Sequence, residues 1–282
     1  NAEGIEFAAI ENFDVEHWYD ILLDGPRRDA QMSGLQQLIR TMGDLGIGIM
    51  GYNFSYANVW GRVTVQQARG GAFSPGFHAD LAPQQAPIPL GMVWNTVYDP
   101  DAPAGTIGAV TEEMIWDRYE RFLRDLLPVA EEAGVLLAMH PADPPLETVN
   151  DTHRLVTRPE HYRQLFDLVP SPCHVAEFCQ GTITEMNGEM DVYEAIQTYA
   201  SQGKIGYVHL RNVVGRLPDY YETFIDDGDV DMVRALRLYR DNGFDGIIIP
   251  DHSPEMACDA PWHASMAYAL GWMRGVLAAI DG

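Results

Sequence analysis

From Gly134 onward, short apolar runs alternate with amphipathic stretches, and this alternation constrains the fold more than any other feature of the chain. Val135–His140, Cys173–Cys179, Ile205–Leu210 and Gly246–Asp251 read as strands. Arg158–Leu168, Met190–Gln202, Val230–Asn242 and His263–Ile280 read as the helices that succeed them. The strands are almost continuously apolar, as strands buried on both faces must be. A βαβα order implies an α/β fold with a parallel sheet, whose natural closed form is the (β/α)8 TIM barrel.

The front half is less regular. Ile5–Ile10 and Ile47–Asn53 read as strands, and Asp29–Leu45 and Thr111–Ala133 as helices. Residues 55–110 are rich in Gly, Pro and Gln and carry no helical period, so they read as a lid-like insert. Met92–Val97 reads as a short strand within it. We read residues 1–282 as one domain. Six core strands are expected against the eight of a closed barrel. Two βα units are therefore expected to lie before residue 1.

Four successive strands end in residues that can bind metal. They end in His140, Cys179, His209 and Asp251, and the C-terminal ends of barrel strands converge on one face. Imidazole, thiolate and carboxylate together suit a divalent transition metal such as Mn, Fe, Co or Zn. Each alone has an ordinary structural explanation; four in phase is hard to obtain by accident. His252 follows Asp251 and could act as acid or base beside the metal. Arg211 and Asn212 follow His209 out of the same strand, and Arg211 could hold a substrate carboxylate or form a structural ion pair. His17, His78, His153, His161 and His263 read as surface residues, and His174 as pointing to the opposite end of the barrel.

Composition narrows the options. Acids outnumber bases 41 to 18, a formal charge of −23, which argues against nucleic acid and anionic membrane as partners. One base is a lysine, Lys204, at the start of a strand, the wrong end for barrel chemistry. Three cysteines are too few for a disulfide framework, and no apolar run is long enough to span a bilayer. A soluble, reducing, cytoplasmic setting is expected. Gly46–Gly51 fits G-x-G-x-x-G, but a helix precedes it and a strand runs through it, the reverse of a dinucleotide loop. In Asp227–Asp231, Asp229 or Asp231 reads as a helix cap rather than a calcium ligand.

The motifs His140-Pro141-Ala142-Asp143-Pro144-Pro145, Phe178-Cys179-Gln180-Gly181, His209-Leu210-Arg211-Asn212-Val213 and Pro250-Asp251-His252 resemble those of the mannonate dehydratases. Gly51-Tyr52-Asn53-Phe54 and Asp227–Met232 extend the resemblance in the same order. It implies a xylose-isomerase-like TIM barrel. It also implies Mn²⁺ held by His140, Cys179, His209 and Asp251, and catalysis by His252 with Arg211. Asn53, Asp143, Arg211 and Asn212 are the implied substrate contacts. The implied reaction is loss of water from D-mannonate to give 2-keto-3-deoxy-D-gluconate. The chain departs from the family at Ala142, where an Asp is usual, and at Ser253, where a Gly is usual. It also has no Tyr within Ala260–Ser265. A sugar isomerase or epimerase on the same barrel, and a non-catalytic sugar-acid-binding barrel, are the competing readings. A homodimer is compatible with the sequence, with Trp60, Phe73 and Phe77 covering the site or meeting a neighbour.

Overall fold

Helix signals in the sequence act where they stand. In the computed structural model, which describes residues 4–281, the Thr111 hydroxyl accepts from Met114 N at 3.2 Å and starts helix Glu112–Ala133. Gly134 ends that helix at φ 67°, a left-handed conformation suited to glycine. Ile115, Tyr119, Phe122, Leu123 and Leu126 form its buried stripe. Helix Arg28–Leu45 packs beside it through Leu35, Ile39 and Met42 and ends at Gly46. Asp191 and Glu194 make reciprocal bonds that open helix Val192–Ser201, and Asp231 caps Met232–Asp241.

Six strands form one parallel sheet whose spatial order is their order in the chain. We label them β1 (Ala9–Glu11), β2 (Ile49–Tyr52), β3 (Leu136–Met139), β4 (His174–Cys179), β5 (Ile205–His209) and β6 (Ile247–Ile249). This is the expected number and direction of core strands. The register sets Cys179 beside His209, and His209 beside Ile249. Lys204 sits at the other end of β5, donating to the carbonyls of Ser171 and His174 at 2.7 and 3.1 Å.

Three expectations need correction. β1 begins at Ala9 rather than Ile5, because its ladder partner β2 begins pairing at Ile49; Ile5 and Phe7 are exposed. Residues 55–110 are not devoid of regular structure. Strands Arg62–Ala68 and Ala72–His78 form an antiparallel hairpin, turning through Gly70 and Gly71 at φ 72° and 73°. Their partners are a second hairpin, Asn212–Arg216 with Asp219–Thr223, which the apolar pattern does not reveal. Together the two hairpins make a four-stranded antiparallel sheet. The Met92–Val97 segment is a two-residue ladder rather than one strand. No helix among the described residues is long and apolar enough to cross a membrane.

Candidate active site

The parallel register delivers the side chains. Cys179 and His209 are the last residues of adjacent strands, His140 follows β3, and Asp251 follows β6 by two residues. Ligand atoms of His140, Cys179 and His209 all lie within 4.8 Å of one another. Asp251 closes the fourth side, with Oδ2 3.9 Å from Cys179 Sγ and Oδ1 3.6 Å from His209 Nδ1. His140 Nδ1 is 2.6 Å from the Pro141 carbonyl, which takes its N–H and leaves Nε2 as the lone-pair atom. Among the described residues neither ring nitrogen of buried His209 makes a well-aligned hydrogen bond, although carboxylates stand 3.3–3.6 Å from both. Such an imidazole beside a thiol, a second imidazole and a carboxylate is a donor set that fits a divalent transition metal.

The charges are strongly coupled. Burial works against ionisation of Cys179, but Arg211 and the two histidines draw its thiol down to about 5. Burial likewise opposes protonation of His209, yet Cys179, Glu11 and Asp251 hold it up to about 11. Burial raises Asp251, and the cations Arg211, His252 and His209 more than reverse it. The cluster therefore favours the deprotonated thiol and carboxylate that ligation requires, and an ion held here would displace the proton that these anions otherwise keep on His209.

A polar cavity of about 150 Å³ opens on this cluster, lined by His140, His209, Asp251 and His252 among others. His252 is the accessible member, its side chain 32% exposed. Its Nδ1 lies 3.0 Å from both carboxylate oxygens of Glu222, and its Nε2 3.5 Å from Asp251 Oδ1. Glu222 is on the strand Asp219–Thr223 and in turn accepts from Arg211 Nη1 at 2.8 Å. Burial depresses the His252 pKa, and the bond and charge of Glu222 outweigh that and raise it.

The other expected site residues divide. Asn53 and Asp143 line the cavity. Arg211 is 1% exposed, and its guanidinium meets protein carboxylates: Glu222 at 2.8 Å, Asp143 at 3.2 Å, Glu185 at 3.3 Å and Asp251 at 3.5 Å. Asn212 is equally buried, donating to the carbonyls of Ile225 and Val230 and accepting from Val213 N and Val230 N. It ties the loop before helix Met232–Asp241 to the strand end.

Glu11, Arg62, Arg154, Glu177 and Glu222 also face or support the site, and sequence reasoning did not single them out. Glu177 Oε1 and Glu11 Oε2 approach His209 Nε2 at 3.4 and 3.3 Å. Burial lifts Glu177 to about 7. Glu11 and Glu177 were findable in principle, since each sits at or near the end of a core strand. Arg62 and Glu222 lie on the antiparallel hairpins, which lack a clear apolar signature.

The profile of the D-mannonate dehydratase (UxuA) family matches residues 1–282. The chain belongs to this family. Mannonate dehydratase 2 of Halalkalibacterium halodurans is 30% identical over 259 residues, covering 88% of this chain and 74% of that protein. The crystal structure of mannonate dehydratase from Streptococcus suis superposes with a TM-score of 0.81 at 26% identity, over 99% of this chain and 77% of that one. A xylose isomerase domain protein from Alicyclobacillus acidocaldarius shares the fold, with a TM-score of 0.62 at 13% identity over 100% and 80% of the two chains. The architecture is thus an α/β TIM-barrel fold of the xylose-isomerase-like kind, and mannonate dehydratases are hydro-lyases.

Proposed function

We propose that this chain is a metal-dependent hydro-lyase that converts D-mannonate to 2-keto-3-deoxy-D-gluconate and water. The observation that carries the reading is the convergence of two devices on one polar cavity: a mixed N, S, O donor set and the His252–Glu222 pair. Family membership supplies the substrate.

In this reading His140, Cys179, His209 and Asp251 hold the ion, with Mn²⁺ proposed and Fe²⁺, Co²⁺ or Zn²⁺ compatible with the same donors. When bound, a divalent ion supplies concentrated positive charge, which favours loss of the proton beside the substrate carboxylate. The reaction removes H⁺ from C2 and OH⁻ from C3 as water, and the enol that remains becomes the ketone. His252 is the proton carrier. Glu222 takes Nδ1, so the ring is held with Nε2 as the atom that exchanges a proton with substrate. Arg211 acts behind it, holding Glu222 and Asp251 in place. Asn53 and Asp143 offer polar contacts to sugar hydroxyls from the cavity wall.

Residues 55–110 serve as a cover, since Asn58, Val59, Arg62 and Trp94 line the cavity. Two further strands between the edges at β1 and β6 would complete an eight-stranded barrel. The test is incubation of purified protein with Mn²⁺ and D-mannonate, then assay of the keto-deoxy acid. No product from D-mannonate or from other aldonates and uronates would refute the reading. Ketose–aldose interconversion without water loss would replace it with an isomerase.

A further inference from the structure

Three arginines gather around the cavity, and they are not equivalent. Arg211 is surrounded by carboxylates, and Arg62 Nη2 lies 3.1 Å from Asp143 and 3.7 Å from Glu222. Both have partners of opposite charge inside the protein. Arg154 does not. It is 4% exposed, and among the described residues no carboxylate oxygen lies within ion-pair distance of it. Its Nη1 donates to the backbone carbonyls of Asp143 and Pro144 at 3.3 and 3.0 Å, and Nη2 to Asp143 at 3.3 Å. Its Nε–H is buried and has no acceptor among the described residues.

A guanidinium in this position is costly. Burying an ion without a counter-charge is unfavourable, and carbonyl oxygens satisfy its hydrogen bonds without neutralising it. Burial indeed pulls the pKa of Arg154 down to about 10, whereas burial at Arg62 is outweighed by Asp143 and Glu222 and the pKa rises. The same side chain lines the cavity that holds His140, His209, Asp251 and His252. A buried cation that has no ion pair and borders a ligand cavity gains one when the ligand brings an anion. The chain's formal charge of −23 opposes an acidic substrate, so a cation at the cavity wall with no ion pair helps to draw one in beside the metal.

We propose that Arg154 is the residue that recognises the carboxylate of the substrate, which rests on the reading that the cavity takes a sugar acid. Arg211, buried among protein carboxylates, keeps a supporting place instead. The ligand class is a small polyhydroxylated monocarboxylate, and an uncharged polyol of the same length gains nothing from Arg154.

The experiment compares binding of D-mannonate and D-mannitol by calorimetry in a His252→Asn background, which binds the acid without consuming it, for the wild-type Arg154, Arg154→Gln and Arg154→Lys, each loaded with Mn²⁺. Wild type is expected to prefer the anion at least 30-fold, Arg154→Gln to lose that preference, and Arg154→Lys to recover part of it. Without ligand, Arg154→Gln is expected to melt no lower than wild type and to keep its metal, because it removes a buried charge that has no ion pair. Mannonate affinity within twofold of wild type in Arg154→Gln overturns the proposal. So does a large loss of melting temperature and metal in that variant, which would make Arg154 a tether for the Asp143–Pro144 backbone. D-gluconate and D-glucuronate are run alongside. Arg154-dependent binding of any of these acids with no keto-deoxy product from wild type supports Arg154 and counts against the dehydratase reading alone. Failure of wild type to bind any of the acids overturns the proposal.

Discussion

Replacing Gly181 by Ala is the sharpest test of how the site is held together. Gly181 follows Cys179 by two residues, and a methyl group there falls onto Cγ and Nε of Arg211 and 2.8 Å from its Cδ. The arginine has no room to yield, being 1% exposed with carboxylates of Asp143, Glu185, Glu222 and Asp251 around its guanidinium. Relief of the overlap must break at least one of these buried pairs, at a cost of about 3–5 kcal/mol. For a chain of 282 residues that corresponds to a fall in melting temperature of roughly 5–8 °C. Calorimetry of Gly181→Ala reads it. Gly34→Ala is the control: Gly34 lies inside helix Arg28–Leu45 with nothing within 4 Å of a new methyl. It should gain about 0.5–1 kcal/mol from helix propensity alone. Because Arg211 holds Glu222, Gly181→Ala should also lower kcat more than it raises KM. A Gly181→Ala protein melting within 2 °C of wild type refutes the claim that Arg211 is clamped.

Cys179→Ser should lower metal content after dialysis by at least tenfold, read by elemental analysis; unchanged content would remove Cys179 from the donor set. Glu222→Gln should lower the His252 pKa, since the carboxylate favours the charged ring against burial. The limb of the kcat/KM–pH profile governed by His252 then moves to lower pH, and an unmoved limb would separate Glu222 from the proton carrier. His174 is fully buried with Nε2 2.9 Å from the Tyr119 hydroxyl, and burial depresses its pKa from 6.5 to about 4. Its contribution is intact above pH 6.5 and is lost as pH falls toward 4, because the unfolded chain takes up the proton first. The full difference is about 3 kcal/mol. His174→Phe should flatten the stability–pH curve in that window, and a curve as steep as wild type would refute the assignment.

The six core strands were readable because a parallel sheet covered on both faces demands continuous apolar runs. The candidate metal donors were readable for a related reason: each ends, or closely follows, such a run, so alternation alone placed His140, Cys179, His209 and Asp251 at the same end of the sheet. The antiparallel hairpins were not readable. Arg62–Ala68 buries only Ala68 fully, and Val63 and Val65 alternate with Thr and Gln, too faint a signal among glycines. Glu222 was lost with them. Arg211 and Arg154 show a deeper limit, because an arginine's chemistry depends on which carboxylates the fold brings to it, and those come from distant parts of the chain.

The four-stranded antiparallel sheet joins two tasks in one mechanical part. Gly76 and Phe77, whose strand pairs with that of the cavity-lining Arg62, pair on their other side with Tyr221 and Tyr220, the two residues before Glu222 on the same strand. The hairpin that carries Arg62 therefore cannot peel away from its partner strand without loosening the carboxylate that aims His252. One set of ladder hydrogen bonds thus carries both the cover of the cavity and the anchor of the histidine, and a change that loosens the first is expected to loosen the second.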